Sequence, residues 1–262
     1  MSIYDKREFF KTYFANASEK SLLVDLMRPR FNPSSDEMNI LDLGCHDGSL
    51  IKKIIDAHTH HLPAKVSITG VEPSFDALSE YPKHPFPISV QVNTFAGTAE
   101  DYFLKHPGDG GFDWVIASQC LYWSFDLPFI LGKIAEAGES GLIVLRGQRG
   151  IYEIQSNFRD YIGNPEEQFY TADDIESALL HLNIPFEKEV KSTFIMLPEP
   201  GSIEMQWLIA FILQQAQVNT AIRQEVESWI LAKSSEKITH DVCFFWLGNS
   251  ISITSKSDAE FT

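Results

Sequence analysis

The stretch from Asn39 to Leu50 reads NILDLGCHDGSL. Ile40, Leu41 and Leu43 surround Asp42 and form a short apolar run, the pattern of a buried strand. Gly44 breaks the run, Cys45, His46 and Asp47 follow, and Gly48 closes the turn. Ser49, Leu50 and Ile51 then open a helical segment that runs to about Ala57. A strand, a glycine turn and a helix start form the geometry by which doubly wound α/β folds cradle a nucleotide. Gly44 lets the backbone approach a ligand closely, and the N–H groups at the helix start favour a polar or anionic group. Alone, such a turn is a weak signal. Its weight comes from the residues that follow.

Val66 to Val71 is a second apolar run, and it ends in Glu72. An acidic residue at the tip of strand two, about 20 to 30 residues after the glycine turn, is placed to accept hydrogen bonds from two ribose hydroxyls. ILDLGCxxG followed by GVEPS resembles the class I S-adenosylmethionine (SAM)-dependent methyltransferases. It does not resemble the dinucleotide dehydrogenases, whose turn needs a third glycine further on. The resemblance implies an α/β fold: a Rossmann-like, seven-stranded, mostly parallel sheet with helices on both faces, a helical lid and an antiparallel last hairpin. It implies SAM as cofactor, held by Asp42, Gly44, Cys45, His46, Gly48, Glu72, Pro73 and Ser74. The family carries glycine where this chain has His46, so the side chain there either points away from the cofactor or touches it.

The 262 residues suit one large α/β domain. With 21 Lys plus Arg against 36 Asp plus Glu, the net charge is −15. Such a surface repels phosphate backbones, which argues against a nucleic-acid substrate and suits a small, cationic acceptor. Cys45, Cys120 and Cys243 sit in apolar stretches without a pairing pattern, as in a reduced cytoplasmic compartment. The first residues, MSIYDKREFF, are too charged for a signal peptide, and no apolar run reaches membrane-spanning length.

Taken in order, Tyr4 to Phe14 spaces aromatics at 9, 10, 13 and 14 as an amphipathic helix does. Ser18 can cap a second helix, Glu19 to Met27, with Leu22, Leu23, Leu26 and Met27 on one face. These helices are candidates for a lid, with core packing the plainer account of their aromatics. Glu19 either faces a cationic acceptor or simply complements the helix dipole. His58, His60 and His61 lack a ligand framework and read as a solvated loop; no metal is implied. Ile88 to Val92 reads as strand three. In the following GTAED, Thr98 and Ala99 occupy the family's adenine-reading position, while Thr98 serves equally as an N-cap. Phe112 to Ser118 is strand four, and its carboxyl end with that of strand one flanks the point where ligands bind. Ser118 and Gln119 therefore join the cofactor set, and Gln119, Tyr122 and Trp123 supply an amide and two amphipathic rings for a small ring or amine. Asp126–Ala137 reads as a helix, Gly141–Arg146 as strand five and Gly147–Tyr170 as a lid insertion. Thr171 caps a helix to Leu182, Phe186–Met196 is strand six, and Ile203–Gln215 and Thr220–Lys233 are helices. Lys237–Leu247 is the last strand, and 250–262 is a polar tail.

The two N-terminal helices, VEPS, QxLY after strand four, TADDI before a helix, and a helical pair before the last strand are similar to the histamine N-methyltransferases. That resemblance implies one domain over 1–249, with a lid at 1–35, a cofactor half at 36–147 and a substrate half at 148–249. It implies that Glu19, Gln119, Tyr122, Trp123 and His240 bind the acceptor. Two positions depart: the family's C-terminal asparagine falls at His240, and a family cysteine falls at Lys188. Methyl transfer from a sulfonium is an in-line displacement that needs a lone pair held about 3 Å from the methyl. A nitrogen acceptor needs only orientation and a sink for one proton, which Glu19, Gln119 and His240 suit; an oxygen acceptor needs a firmer base, His240. Gln119 and His240 are thus the catalytic candidates. The alternatives are O- or C-methylation of a natural-product or carboxylate-bearing acceptor, or a SAM-binding regulator using Trp207 and Trp229 as a partner surface.

Overall fold

Strand β1 (Glu37–Leu43) forms because its residues are apolar and buried on both faces over its carboxyl half, as a central parallel strand requires. The computed structural model describes residues 6–31, 35–86, 90–163 and 169–251. The N-terminal part holds α1 (Arg7–Asn16) and α2 (Glu19–Met27) before β1. After it come α3 (Ser49–His58), β2 (Lys65–Glu72), α4 (Phe75–Leu78), β3 (Val90–Ala96), α5 (Ala99–Lys105), β4 (Phe112–Ser118), α6 (Leu127–Ala137) and β5 (Gly138–Arg146). The remainder is α7 (Ile151–Asn157), α8 (Ala172–His181), β6 (Phe186–Met196), α9 (Ile203–Leu213), α10 (Thr220–Lys233) and β7 (Lys237–Gly248).

The seven strands run in the order β3-β2-β1-β4-β5-β7-β6. β1 pairs in parallel with β2 and β4, β2 with β3, and β4 with β5. The order reverses between β1 and β4, where an open α/β sheet binds its ligand. β6 and β7 run oppositely, since the Leu197 N–H meets the Glu236 carbonyl while Thr193 meets His240, one number falling as the other rises. β7 also opposes β5: Gly147 N–H bonds the Asp241 carbonyl, and Asn249 N–H that of Glu139. The sheet is α/β and Rossmann-like, as the resemblance implies.

Contacts divide the chain into two compact units, each built from separate segments. The first comprises 1–23, 146–168 and 190–242. Its core packs Tyr13 of α1, Ile151, Ile154 and Phe158 around α7, and Leu208, Ile209 and Ile212 of α9. Tyr13 stacks on Phe211 with centroids 4.4 Å apart. The second unit comprises 24–145, 169–189 and 243–262. Leu41, Leu43, Val115 and Ala117 of its strands pack with Ile130, Leu131 and Ile134 of α6 and Ile175 and Leu179 of α8.

Several expected elements differ. β3 starts at Val90 and runs on to Ala96; residues 87–89, with Ile88, lie outside the described residues, as do Tyr4, 164–168 and the tail from 252. β5 starts at Gly138, three residues before the apolar run, because Gly138 pairs with Phe112 and Ser140 with Trp114. Part of the expected insertion is α7, whose Ile151 and Ile154 are core. On α2 the buried side is Glu19, Lys20, Leu23, Val24 and Met27, with Leu22 and Leu26 only half-buried. His58 is not solvated: it is 1% exposed, its Nδ1 lies 2.7 Å from the Ile54 carbonyl, and its ring packs on Phe31. His60 and His61 are exposed.

Candidate active site

The cofactor candidates all lie in the second unit. The turn after β1 uses three left-handed residues, Gly44 (φ +62°), His46 (φ +48°) and Gly48 (φ +80°). Each glycine is also demanded by packing. A β-carbon on Gly44 would overlap that of Cys120, and one on Gly48 would overlap the Tyr81 ring. The Cys120 thiol donates to the Leu43 carbonyl at 3.2 Å, which ties the end of β4 to the end of β1.

Glu72, at the end of β2, is buried, and its carboxylate closes the turn. One oxygen accepts the His46 N–H at 3.0 Å and the other the Ser74 N–H at 2.9 Å. Ser74 in turn caps α4, accepting from the Ala77 N–H. Asp42 is also buried and accepts a hydrogen bond from the Tyr81 hydroxyl at 2.8 Å. Burial, with the carboxylates of Asp42 and Glu72, drives the Cys45 thiol well above its ordinary pKa, so it is no nucleophile.

The His46 ring is buried and lies beside Asp47, with Nδ1 3.7 Å from Oδ1. Burial alone would raise the Asp47 pKa. The neighbouring His46 ring and hydrogen bonds from Ser49 outweigh it and hold the carboxyl well below the usual range. Pro73 is exposed. Thr98 forms a reciprocal capping box: its hydroxyl accepts from Asp101 N–H at 3.1 Å, and the Asp101 carboxylate accepts from Thr98 N–H at 3.1 Å. Both polar groups of Thr98 therefore serve the helix start, and Ala99 follows in the first turn. Glu100 accepts from the Ser124 hydroxyl (2.7 Å) and the Phe125 N–H (2.9 Å), fixing the loop after β4.

Ser118 ends β4, and Gln119 adopts φ +60°, an uncommon conformation for a residue with a side chain. Its N–H bonds the Val144 carbonyl at 2.8 Å, and its side-chain oxygen accepts from the Tyr122 hydroxyl. Tyr122 stacks on Phe169 at 5.1 Å and 6°, and Trp123 meets the same ring edge-on at 5.0 Å. The Tyr170 N–H donates to the Tyr122 carbonyl at 2.9 Å. Gln119, Tyr122 and Trp123 thus form one wall. Phe169 completes it from the far end of the expected lid insertion, where no local pattern marks it. Tyr81 also escapes the sequence reading; a tyrosine followed by proline in a loop carries no signal of what it packs on.

The other two acceptor candidates lie in the first unit. Glu19 is 2% exposed, and the Lys20 ammonium sits 3.0 Å from its carboxylate. Burial pushes the Glu19 pKa up, but Lys20, His240 and the nearby Tyr13 hydroxyl pull it below its ordinary value. His240 is fully buried; among the described residues neither ring nitrogen has a hydrogen-bond partner. Burial, aided by Arg146 and Lys20, lowers its pKa against the pull of Glu19 and Asp241, so the ring is neutral at pH 7. Lys188 pairs with Glu176 at 2.6 Å in the second unit. Trp229 turns onto its own unit's core, edge-on to Phe158 at 6.2 Å, which weakens its use as a partner surface.

No protein-family model and no curated protein matches the chain. Solved structures do. The plantazolicin methyltransferase BamL, solved with a triazolic desmethylPZN analog and SAH, matches 94% of this chain and 88% of its own at TM-score 0.51 and 14% identity. The fold is that of the class I methyltransferases. A putative type II methyltransferase from Anaeromyxobacter dehalogenans matches 88% of this chain and 96% of its own, at TM-score 0.50 and 15% identity. The Haemonchus contortus phosphoethanolamine N-methyltransferase 2, solved with SAM, matches 87% of this chain and 52% of its own, at TM-score 0.50 and 17% identity. No described helix is long and apolar enough to cross a membrane, and no disulfide joins the three cysteines.

Proposed function

We propose that the protein is a cytoplasmic SAM-dependent methyltransferase acting on a small molecule, at an amine or imidazole nitrogen, as the resemblance to histamine N-methyltransferases suggests. The observation that carries this reading is Glu72. Its carboxylate stands at the carboxyl end of β2, with its plane fixed by two backbone N–H groups, one of them from the glycine turn. A carboxylate has about four lone-pair positions, so one held in this way suits a pair of vicinal hydroxyls. The left-handed turn suits the same group, since its glycines let the backbone approach a ligand closely. Asp42, Gly44, Cys45, His46, Gly48, Glu72, Pro73, Ser74, Ala99, Ser118 and Gln119 would hold it, with Thr98 acting through its cap. When bound, SAM supplies an electrophilic methyl on a sulfonium that is its own leaving group.

The protein's part is then orientation. Gln119, pinned by Tyr122 and Val144, presents a polar amide beside the stacked rings, a surface for a flat or apolar acceptor. Residues 148–249 with the N-terminal helices would serve the acceptor, and 36–147 the cofactor. Neutral His240 can accept a proton, which keeps an O-methyl acceptor as the second reading. The Lys20–Glu19 pair weighs against the simplest form of a cationic acceptor, because the Glu19 carboxylate already meets an ammonium.

Calorimetry tests the reading. The full chain should bind SAM, and Glu72→Ala should weaken binding by about 1.5–3 kcal/mol, the range for hydrogen bonds to charged groups. Unchanged SAM affinity in a folded variant would remove the ribose assignment. Turnover of SAM by a panel of small amines, imidazoles and phenols then separates nitrogen from oxygen acceptors. No turnover with any class, alongside tight binding, would favour a regulator.

A further inference from the structure

Tyr81 begins the short 3-10 turn Tyr81–Lys83 and is 0% exposed. Its ring lies against two glycines: a β-carbon on Gly48, in the turn, or on Gly70, in β2, would overlap it. Its hydroxyl donates to Asp42, at the end of β1, at 2.8 Å. One side chain therefore touches the acid of β1, the closing glycine of the turn and the neighbouring strand. Burial and the adjacent Asp42 carboxylate raise its pKa well above the ordinary tyrosine value, so the hydroxyl keeps its proton and stays a donor. A buried carboxylate that loses this donor loses part of its orientation as well as its solvation.

We infer that Tyr81 is a positioning residue for the cofactor: its hydroxyl aims the Asp42 carboxylate, and its ring sets the height of Gly48. The inference rests on the proposed SAM site. It acts through Asp42, so the two residues should behave as one unit. The polar contribution is separable from the packing because phenylalanine keeps the ring.

The test measures SAM affinity by calorimetry and thermal stability for the wild type, Tyr81→Phe, Asp42→Asn and the double variant. Tyr81→Phe should bind SAM about tenfold more weakly, the lower end of the loss for a hydrogen bond to a charged group. The acceptor KM should move little. The double variant should bind like Asp42→Asn within about twofold, because the hydroxyl has no carboxylate left to aim. Wild-type affinity in Tyr81→Phe, or losses that simply add in the double variant, would overturn the inference. A purely structural Tyr81 would lower the melting temperature without this non-additivity. If Tyr81→Phe fails to fold, the double variant, which also neutralises the Asp42 carboxylate, still decides: binding more than about threefold weaker than Asp42→Asn overturns the inference. A wild type that does not bind SAM overturns the functional reading itself, and this inference with it.

Discussion

At position 46 a histidine holds the left-handed backbone that glycine adopts without strain. For an ordinary L-residue that conformation costs about 1–2 kcal/mol. His46 has a compensation, since its ring helps hold Asp47 ionised against burial. His46→Gly should therefore leave SAM affinity within a few-fold, because the turn's N–H to Glu72 is backbone. Its stability should depend on pH. A depressed carboxyl contributes stability that is present above its unfolded value, about 3.9, and is lost as pH falls through the folded value. The variant loses part of that stabilisation, so its deficit should be largest at neutral pH and shrink below about pH 4. Urea unfolding at neutral and acid pH measures this, and a deficit that grows with acid would refute the role given to Asp47. Glu19 needs a different test from the one its position first suggests. Removing it alone takes away the carboxylate 3.0 Å from the buried Lys20 ammonium, and breaking a buried pair costs about 3–5 kcal/mol. Glu19→Ala should thus be much less stable, and adding Lys20→Met should restore most of that loss. Only the restored double variant reports on acceptor binding, through its KM; a double variant as unstable as the single would show that the pair is not the unit.

Among the elements, the start of α5 separates two readings of Thr98. Thr98→Ala removes a side chain that caps the helix, which should cost about 1 kcal/mol of stability. If capping is its whole role, SAM affinity stays within about twofold of wild type, while Thr171→Ala, the matching box of α8, loses similar stability. A tenfold loss of SAM affinity in Thr98→Ala alone would instead assign Thr98 a part in reading the adenine. The elements also differ in how legible they are in the sequence. β1, β2 and β4 can be read because both their faces are buried and their sequences are largely apolar. β3 resists placement because it is an edge strand whose Asn93 and Thr94 face water and look like a loop. The first residues of β5, Gly138 to Ser140, carry no strand pattern; their pairing with β4 makes them one. α7 is hidden within a polar stretch since only Ile151, Ile154 and Gln155 of its seven residues are buried. Of the candidate site, the glycine turn, Glu72 and Gln119 are marked by spacing. Tyr81, Phe169 and the Lys20–Glu19 pair cannot, because each depends on packing that no local pattern encodes.

Across the whole molecule, the strongest long-range influence on an approaching ligand is the net charge of −15. Summed over the surface, it attracts cations and repels anions before any contact forms, and salt screens it. The ordinary reading of such a field is solubility; the functional reading is delivery of a cationic acceptor, and the two differ in kinetics. For a protonated amine, kcat/KM should fall as ionic strength rises from about 0.01 M to about 1 M, over which the screening length shortens from about 30 Å to about 3 Å. The turnover number at saturation should hardly move, because steering acts on encounter and not on chemistry. An uncharged phenol or imidazole should give a flat profile, and a carboxylate-bearing acceptor a rising one. The measurement needs no variant and no knowledge of which residues touch the acceptor. It bears directly on the Lys20–Glu19 pair: with that carboxylate already met by an ammonium, the field of the whole chain is the main remaining reason to expect a cation. If the best acceptor in the panel shows kcat/KM that is flat or rises with salt, the cationic-acceptor reading fails, and neutral His240 becomes the residue on which acceptor chemistry turns.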